Sequence, residues 1–584
     1  MLRFDAPDFI SVSAKPILPG AYLIGPDSVP IAGEVVLEDG VIRCEKGTRE
    51  AAALSLGVCL DEEQLKGLGQ SGAEIEGVCL KPMGVLGLRT CLLPDRDRPY
   101  ILALELARHR IMLFLTKLED WQAFDIAPDS QAMRLFEVAR QTFTKALVAS
   151  SEHGQASEEA SRQGLLALWI AIEASERLTL MQTQRDFTER MNGALYLSVS
   201  EESGISKRAM PVLHPTRGGV VLPTKPAVGS LVSPGVLNEQ TKSAVVGACD
   251  FINLPMRWVE MEPMEGEYAY TPTDKWIEWA IRSAKLPVVA GPVIDFRPAS
   301  VPDWLYIWEN DYETLRELVY EHLKSIVTRY RRTVSRWTVC SGLHCGKHFK
   351  LDFQQMIDLT RICVLVVRKL HPRAKVQVEI VEPWGEYHTR DRKSLPPLLY
   401  AEMVTQSGIP IDSFSLRVQM GSYQPGLCTR DLMAFSAMLD QYAMLDRPIT
   451  ISAFGAPAGR VVPRVDPEAE LDGGDGAAVH PDAGYWRRRW SEGAQADWMS
   501  AYGAVALSKP YVESICWHEF ADPSGVTEMP TGGLLDRRLD QREVYRRMVE
   551  LRRAIETGSI PERVASAEFL NMLGDESPAA GASR

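Results

Sequence analysis

The sequence predicts a (β/α)8 TIM barrel preceded by an N-terminal β-sandwich-like module and a helical hairpin. Three observations predict it. The chain has 584 residues, more than one ordinary domain needs. Its hydrophobic period changes from two to that of a helix after about residue 120, and eight later strand-like runs alternate with amphipathic helical ones. The expected units are 1–125 (β-rich), 126–192 (hairpin), 193–560 (barrel) and 561–584, a disordered tail.

In the first unit, the runs 21–24, 33–37, 41–44 and 53–56 are short, alternating and punctuated by Gly, Pro and Asp. The stretch 99–121 opens like a strand and fits either strand or helix beyond that. The charged run LPDRDRPYILALELARHR (93–110) reads as a solvated turn leading into a core element, or as an interface that fixes the module to the barrel or to a second subunit. Leu135, Val138, Phe143 and Leu147, then Leu165, Leu168, Trp169, Ile172, Leu178 and Met181, fall at helical spacing and predict the hairpin.

Barrel strands are expected at 194–200, 250–258, 287–295, 336–340, 375–381, 413–418, 448–453 and 514–519, with helices such as 311–330, 353–370 and 429–445 between them. The acidic, Gly-rich segment 465–486 reads as a long mobile loop after the seventh strand.

Composition narrows the function. With 64 Lys and Arg against 77 Asp and Glu, the net charge is −13, which disfavours nucleic acid and anionic lipid as partners. No apolar stretch reaches 18 residues, and the N-terminus lacks the charged-then-apolar order of a secretory signal. Ten scattered cysteines, several within apolar runs, read as buried thiols of a reducing compartment, so the expected address is the cytoplasm. GLGQSG (67–72) lacks the Lys-Ser/Thr of a phosphate loop, and no Gly-x-Ser-x-Gly elbow occurs. No cofactor is expected.

Seven blocks then follow in order: MRWVEMEPMEGEYAYTPTDKWIEWA (256–280), VPDWLY (301–306), HLKSIVTRYRRTVSRWTV (322–339), HPRAKVQVEI (371–380), IDSFSLRVQ (411–419), PITISAF (448–454) and ICWHEF (515–520). Together, over about 194–555, they resemble glycoside hydrolase family 10, the endo-β-1,4-xylanases. The resemblance implies a barrel that hydrolyses xylan with retention, using two glutamates about 5–5.5 Å apart, and, by analogy with modules that precede such barrels, a carbohydrate-binding-module-like unit at 1–125. It puts the acid/base at Gly342 and the nucleophile at Ala453, beside Ile451 and Ser452. Pro292 and Arg297 stand where the family has paired histidines, and Arg417 and Gln419 replace its Gln and His. Gly and Ala can neither protonate a leaving group nor attack an anomeric carbon. The expectation is therefore a degenerate xylanase that binds an oligo- or polysaccharide or serves as a structural protein, with a protein partner or a second copy as further candidates. The rival is an active glycosidase with relocated carboxylates.

Barrel sites lie at the C-terminal ends of the strands. Candidate ligand contacts there are Arg257, Trp258, Asp295, Trp384, Arg417, Gln419 and Trp517, the last matching an eighth-strand Trp that flanks the sugar in the family. Each Trp reads equally as core packing, and each acid as a salt-bridge partner. Glu379 also reaches the mouth, and Glu382 with Glu519 is the candidate relocated acid pair. CSGLHCGKH (340–348) offers Cys340, His344, Cys345 and His348 as a candidate metal set or, with Cys340 and His344, a different chemistry. Its spacing is not Cys-x-x-Cys, and buried thiols with surface histidines are the simpler reading.

Overall fold

The computed structural model describes residues 1–6, 17–38, 40–69, 74–152, 158–192, 225–346, 349–389, 393–421, 426–459, 485–522, 529, 531–565 and 569–572. Eight parallel strands close a barrel: Ala227–Leu231, Phe251–Leu254, Val288–Ala290, Val334–Ser341, Lys375–Ile380, Ser413–Gln419, Ile449–Gly455 and Val512–Trp517. Closure is made where the first strand pairs with the eighth, Gly229 opposite Cys516. A helix follows each strand, from Glu239–Ala248 after the first to Glu543–Thr557 after the eighth. Strands two to eight fall where their apolar runs place them. The first is a correction: it is AVGSL at Ala227–Leu231, while 194–200 lies outside the described residues.

The barrel interior is polar for much of its height. The Gln377 amide donates to Thr338 Oγ1 at 2.8 Å, and its carbonyl accepts from Thr450 Oγ1 at 3.0 Å and Ser413 Oγ at 3.4 Å. At the bottom, Glu513 holds Arg336 and Lys375. Nearer the mouth, Glu379 accepts from Ser341 Oγ at 2.6 Å and from Ser452 Oγ. Small and hydroxylated residues fill this interior because an unpaired polar group there would cost about 1–3 kcal/mol.

The N-terminal part holds a two-stranded sheet, Glu74–Ile75 with Val78–Cys79, and two larger ones. One has the order Tyr100–Ile101, Leu2–Asp5, Val41–Lys46, Gly33–Glu38. The other runs Arg488–Arg489, Tyr485–Trp486, Gly84–Arg89, Ala53–Leu60, Ile17–Ile24, Pro30–Ile31. Its first two strands come from the far side of the seventh barrel strand, so the chain returns to complete the N-terminal sheet. This corrects the loop expected through Trp486, although 460–484 lie outside the described residues. The stretch left open at 99–121 is a two-residue strand followed by helix α1 (Leu102–Asp120). The hairpin is α2 (Gln131–Glu152) and α3 (Glu158–Met191). Phe4, Ile42, Leu54, Leu88, Leu106 and Leu168 share one core, so sheets and helices bury each other. Among the described residues, no helix is long and apolar enough to cross a membrane.

Helix α3 is buried nearly all round over its middle turns, as is Glu492–Ser508 after the seventh barrel strand. Each lies between two layers, which is why both bury residues on every face, charged ones included. Charged groups bridge them. Arg487 Nη2 reaches Glu173 at 3.0 Å and also Glu176, while Arg177 Nη2 meets Glu173 at 2.8 Å. Glu176 in turn accepts from the Leu432 amide at the start of the sixth barrel helix, Leu432–Ala443. Asp431 caps that helix and takes both Nη atoms of Arg110 from α1, at 2.8 and 2.5 Å. The charged run at 93–110 therefore ends in an interface residue. Burial pushes the Glu173 carboxyl up, but Arg487 and Arg177 outweigh it and hold it below its ordinary value. Arg487→Met would leave two buried carboxylates without that cation. We expect a loss of about 3–5 kcal/mol, read as a lower midpoint in urea unfolding.

Candidate functional site

The barrel mouth carries a pocket of about 580 Å3. Its walls come from the ends of strands one, two, three, six, seven and eight, and the polar lining includes Arg257, Glu260, Asp295, Arg297, Ser300, Arg417, Gln419, His518 and Glu519. Five of the expected contacts, Arg257, Asp295, Arg417, Gln419 and Glu519, are thus brought together. Strands four and five open instead on a separate cavity of about 70 Å3 that holds Gly342, Cys345 and Glu382.

Asp295 and Arg297 line both spaces and form the partition between them. Asp295 Oδ1 accepts from the Arg297 amide at 3.1 Å, and Oδ2 accepts from Arg297 Nη2 at 2.5 Å and Ser300 Oγ at 2.9 Å. Burial would raise its carboxyl, but Arg297, with help from Arg417, holds it below the ordinary value. Both oxygens are therefore engaged in an ionised, clamped group.

Glu519 is the opposite case. It is 6% exposed, and its Oε2 has no hydrogen-bond partner among the described residues. Burial pushes its carboxyl up to about 7, with Asp522 and Glu260 adding to the rise and Arg257 and Arg417 opposing it. Next to it, His518 sits against two glycines: a Cβ on Gly455 would lie 2.0 Å from its Nδ1, and one on Gly532 would lie 2.4 Å from its Nε2. At the rim, Arg257 pairs with Glu260 at 3.1 Å. Arg417 Nε donates to Gln419 Oε1 at 3.1 Å, which orients two pocket-lining groups together.

Other expected residues are placed elsewhere. Trp258 is buried, donates to Glu262 Oε2 at 2.9 Å and stacks on His322 with ring centres 4.2 Å apart. Trp517 is 1% exposed, donates to the Gly532 carbonyl at 2.8 Å and meets Phe454 edge-on. Both pack the core beneath the mouth. Trp384 lies at the seam with the N-terminal sheets, under the Arg430 guanidinium. Glu382 lines the smaller cavity and does not share the large pocket with Glu519. Gly342 and Ala453 fall in different cavities, Gly342 in the smaller and Ala453 in the larger.

The expected metal candidates do not form one set. Cys340 sits in the barrel wall against Cys363 and Tyr400. The Cys345 thiol lies 3.5 Å from His344 Nδ1. His348 lies outside the described residues, and among those described no three His, Cys, Asp or Glu side chains gather as metal ligands. Sequence reading missed Glu260, Ser300 and His518. Only Glu260, at i+3 from Arg257, had a legible signal, as a charge pair on one helical turn.

No family model matches the chain. Among solved structures, xylanase 10B from Thermotoga maritima is similar at 15% identity, over 57% of this chain and 97% of that one, with a TM-score of 0.42. A GH10 endoxylanase from a sugarcane soil metagenome gives 14% identity over 56% and 97%, with a TM-score of 0.43. A variant of xylanase 10C from Cellvibrio japonicus in complex with xylopentaose gives 13% over 56% and 68%, with a TM-score of 0.41.

The Glu519 environment sets a pH dependence. The folded carboxyl keeps its proton to about pH 7, whereas the unfolded one loses it near 4.5. Folding therefore takes up a proton between those values, and stability falls as pH rises through that window. Glu519→Gln should remove this slope. At pH 8 it should be more stable than the parent by about 2–3 kcal/mol, with near equality at pH 4, in paired urea titrations.

Proposed function

We infer that the chain binds a carbohydrate at the barrel mouth and does not cleave it by the two-carboxylate route. One observation carries this: of the carboxylates that line the large pocket, Asp295 is clamped by Arg297 and Ser300 and Glu260 pairs with Arg257, so Glu519 is the buried one with an unpartnered oxygen, among the described residues. Retaining hydrolysis needs a second free carboxylate about 5–5.5 Å away. Asp295 is clamped by Arg297 and Ser300, and Glu379 by Ser341 and Ser452. What remains is a set of directional groups, Arg257, Arg417, Gln419 and Glu519, suited to hydroxyls. The order of motifs resembling the xylanases makes a xylo-oligosaccharide the ligand to try. The ten cysteines are all free thiols, which supports the cytoplasm as the compartment.

A second reading has one observation in its favour. Glu519, titrating near 7, shares the pocket with an Asp295 held ionised, the split in protonation that an acid and a nucleophile require. The Asp295–Arg297 ion pair weighs against it, because attack would first have to break that pair.

Titration calorimetry with xylohexaose separates the two. We expect saturable heats on a flat baseline, no release of reducing ends, and affinity weakened about tenfold or more in Arg417→Ala. Steady release of reducing ends that disappears in Glu519→Gln would establish the hydrolase instead. No heat at all would leave the barrel as a scaffold.

A further inference from the structure

A second cavity, of about 280 Å3, lies away from the mouth, at the seam between the N-terminal sheets, helix α1 and the loops after barrel strands five and six. Its walls are mainly apolar, with Ile24, Leu88, Leu106, Leu113 and Met438 among them, and it opens past the exposed Ser28 and half-exposed Met112.

Three arginines line it. Arg110 is neutralised by Asp431, and Arg430 by Glu386. Arg430 passes so close to the sheet that a Cβ on Gly87 would lie 1.9 Å from its Nη1, so glycine is required there. Arg89 differs. Its Nε donates to His109 Nε2 at 2.9 Å, and no carboxylate pairs with it among the described residues. Because His109 accepts that proton, its Nε2 is unprotonated and the ring brings no charge that could offset the guanidinium. Burial pushes the Arg89 guanidinium below its ordinary value, and the neighbours that oppose this are Tyr22 and Cys91, neither an anion at neutral pH. A largely buried cation without a counter-charge is costly, and natural cores seldom keep one.

We propose that this seam cavity is a binding site for a small monocarboxylate with an apolar body, whose carboxylate pairs with Arg89 while its chain or ring lies against the apolar walls. One unneutralised cation matches one negative charge. A phosphate dianion would need a second, and the other two arginines are already paired. The Arg89 guanidinium can meet both oxygens of a carboxylate through its two Nη groups, since only its Nε is used by His109. The Ser55 hydroxyl on the same wall can support the carboxylate from the side, while the Tyr22 hydroxyl donates to the Trp384 carbonyl at 3.3 Å. This site is independent of the mouth, so its failure would leave the carbohydrate reading untouched.

The test is calorimetry on the full chain with octanoate, with octanamide as the neutral isostere, and with inorganic phosphate. Octanoate should bind saturably and about tenfold or more tighter than octanamide, and phosphate should give no heat. Arg89→Met should abolish the preference for octanoate and raise the melting temperature of the ligand-free chain, while Arg89→Lys should keep part of the preference. Met112→Trp at the rim should weaken octanoate binding with Arg89 still in place, a check that does not depend on the stability of an Arg89 variant. Absence of saturable octanoate binding at millimolar concentration would overturn the proposal. So would octanamide binding equal to octanoate, or phosphate binding as tightly.

Discussion

Arg487 and the two glutamates it holds join parts of the molecule that are remote in sequence. Glu173 and Glu176 lie on α3, Arg487 follows the strand that completes the N-terminal sheet, and Glu176 reaches the sixth barrel helix through the Leu432 amide. Arg110 and Asp431 extend the chain of charges to α1. Each group is almost fully buried, so none is satisfied by water, and moving any one of these elements would strand a charge in the interior. A purely apolar interface would have tolerated sliding. This one fixes a single registration of hairpin, sheet and barrel.

That fixed frame presents a mouth that is lopsided. The open pocket belongs to six strand ends, and the Asp295–Arg297 pair walls it off from the ends of strands four and five. An ion pair makes an effective partition because it is held by several hydrogen bonds at once and is expensive to separate when buried. The same pair uses up a carboxylate that shares the pocket with Glu519. Shape and chemistry at the mouth therefore have a common cause.

Much of the fold was legible because it rests on local pattern. The alternation of KVQVEI at Lys375–Ile380 announces a strand, and the helical spacing of Leu165, Leu168 and Ile172 announces α3. AVGSL at Ala227–Leu231 carried no such signal, since Gly229 and small neighbours weaken the pattern; Gly229 is there because the Phe251 ring packs where a Cβ would stand. The site was legible only as a set of residue types. Trp258 and Trp517 look like sugar platforms in one dimension, and only the surrounding rings and carbonyls reveal that both are spent on the core. The state of a carboxyl depends on partners far along the chain: Glu379 is matched by Ser341 and by Ser452, 38 and 73 positions away. No spacing rule reports that.

The return of Tyr485 and Trp486 to the N-terminal sheet bears on how the chain is made. Tyr485 packs beside Cys59, its neighbour across 426 positions, and the Tyr485 hydroxyl donates to the Leu60 carbonyl. As the polypeptide leaves the ribosome, the amino-terminal sheet must wait with an open edge until seven of the eight barrel strands have been synthesised. Such an edge is a template for unwanted pairing, and closing so long a loop is entropically slow. A sheet translated ahead of the barrel is thus finished only after most of it, and these layers are obliged to fold as one unit even though they look separable.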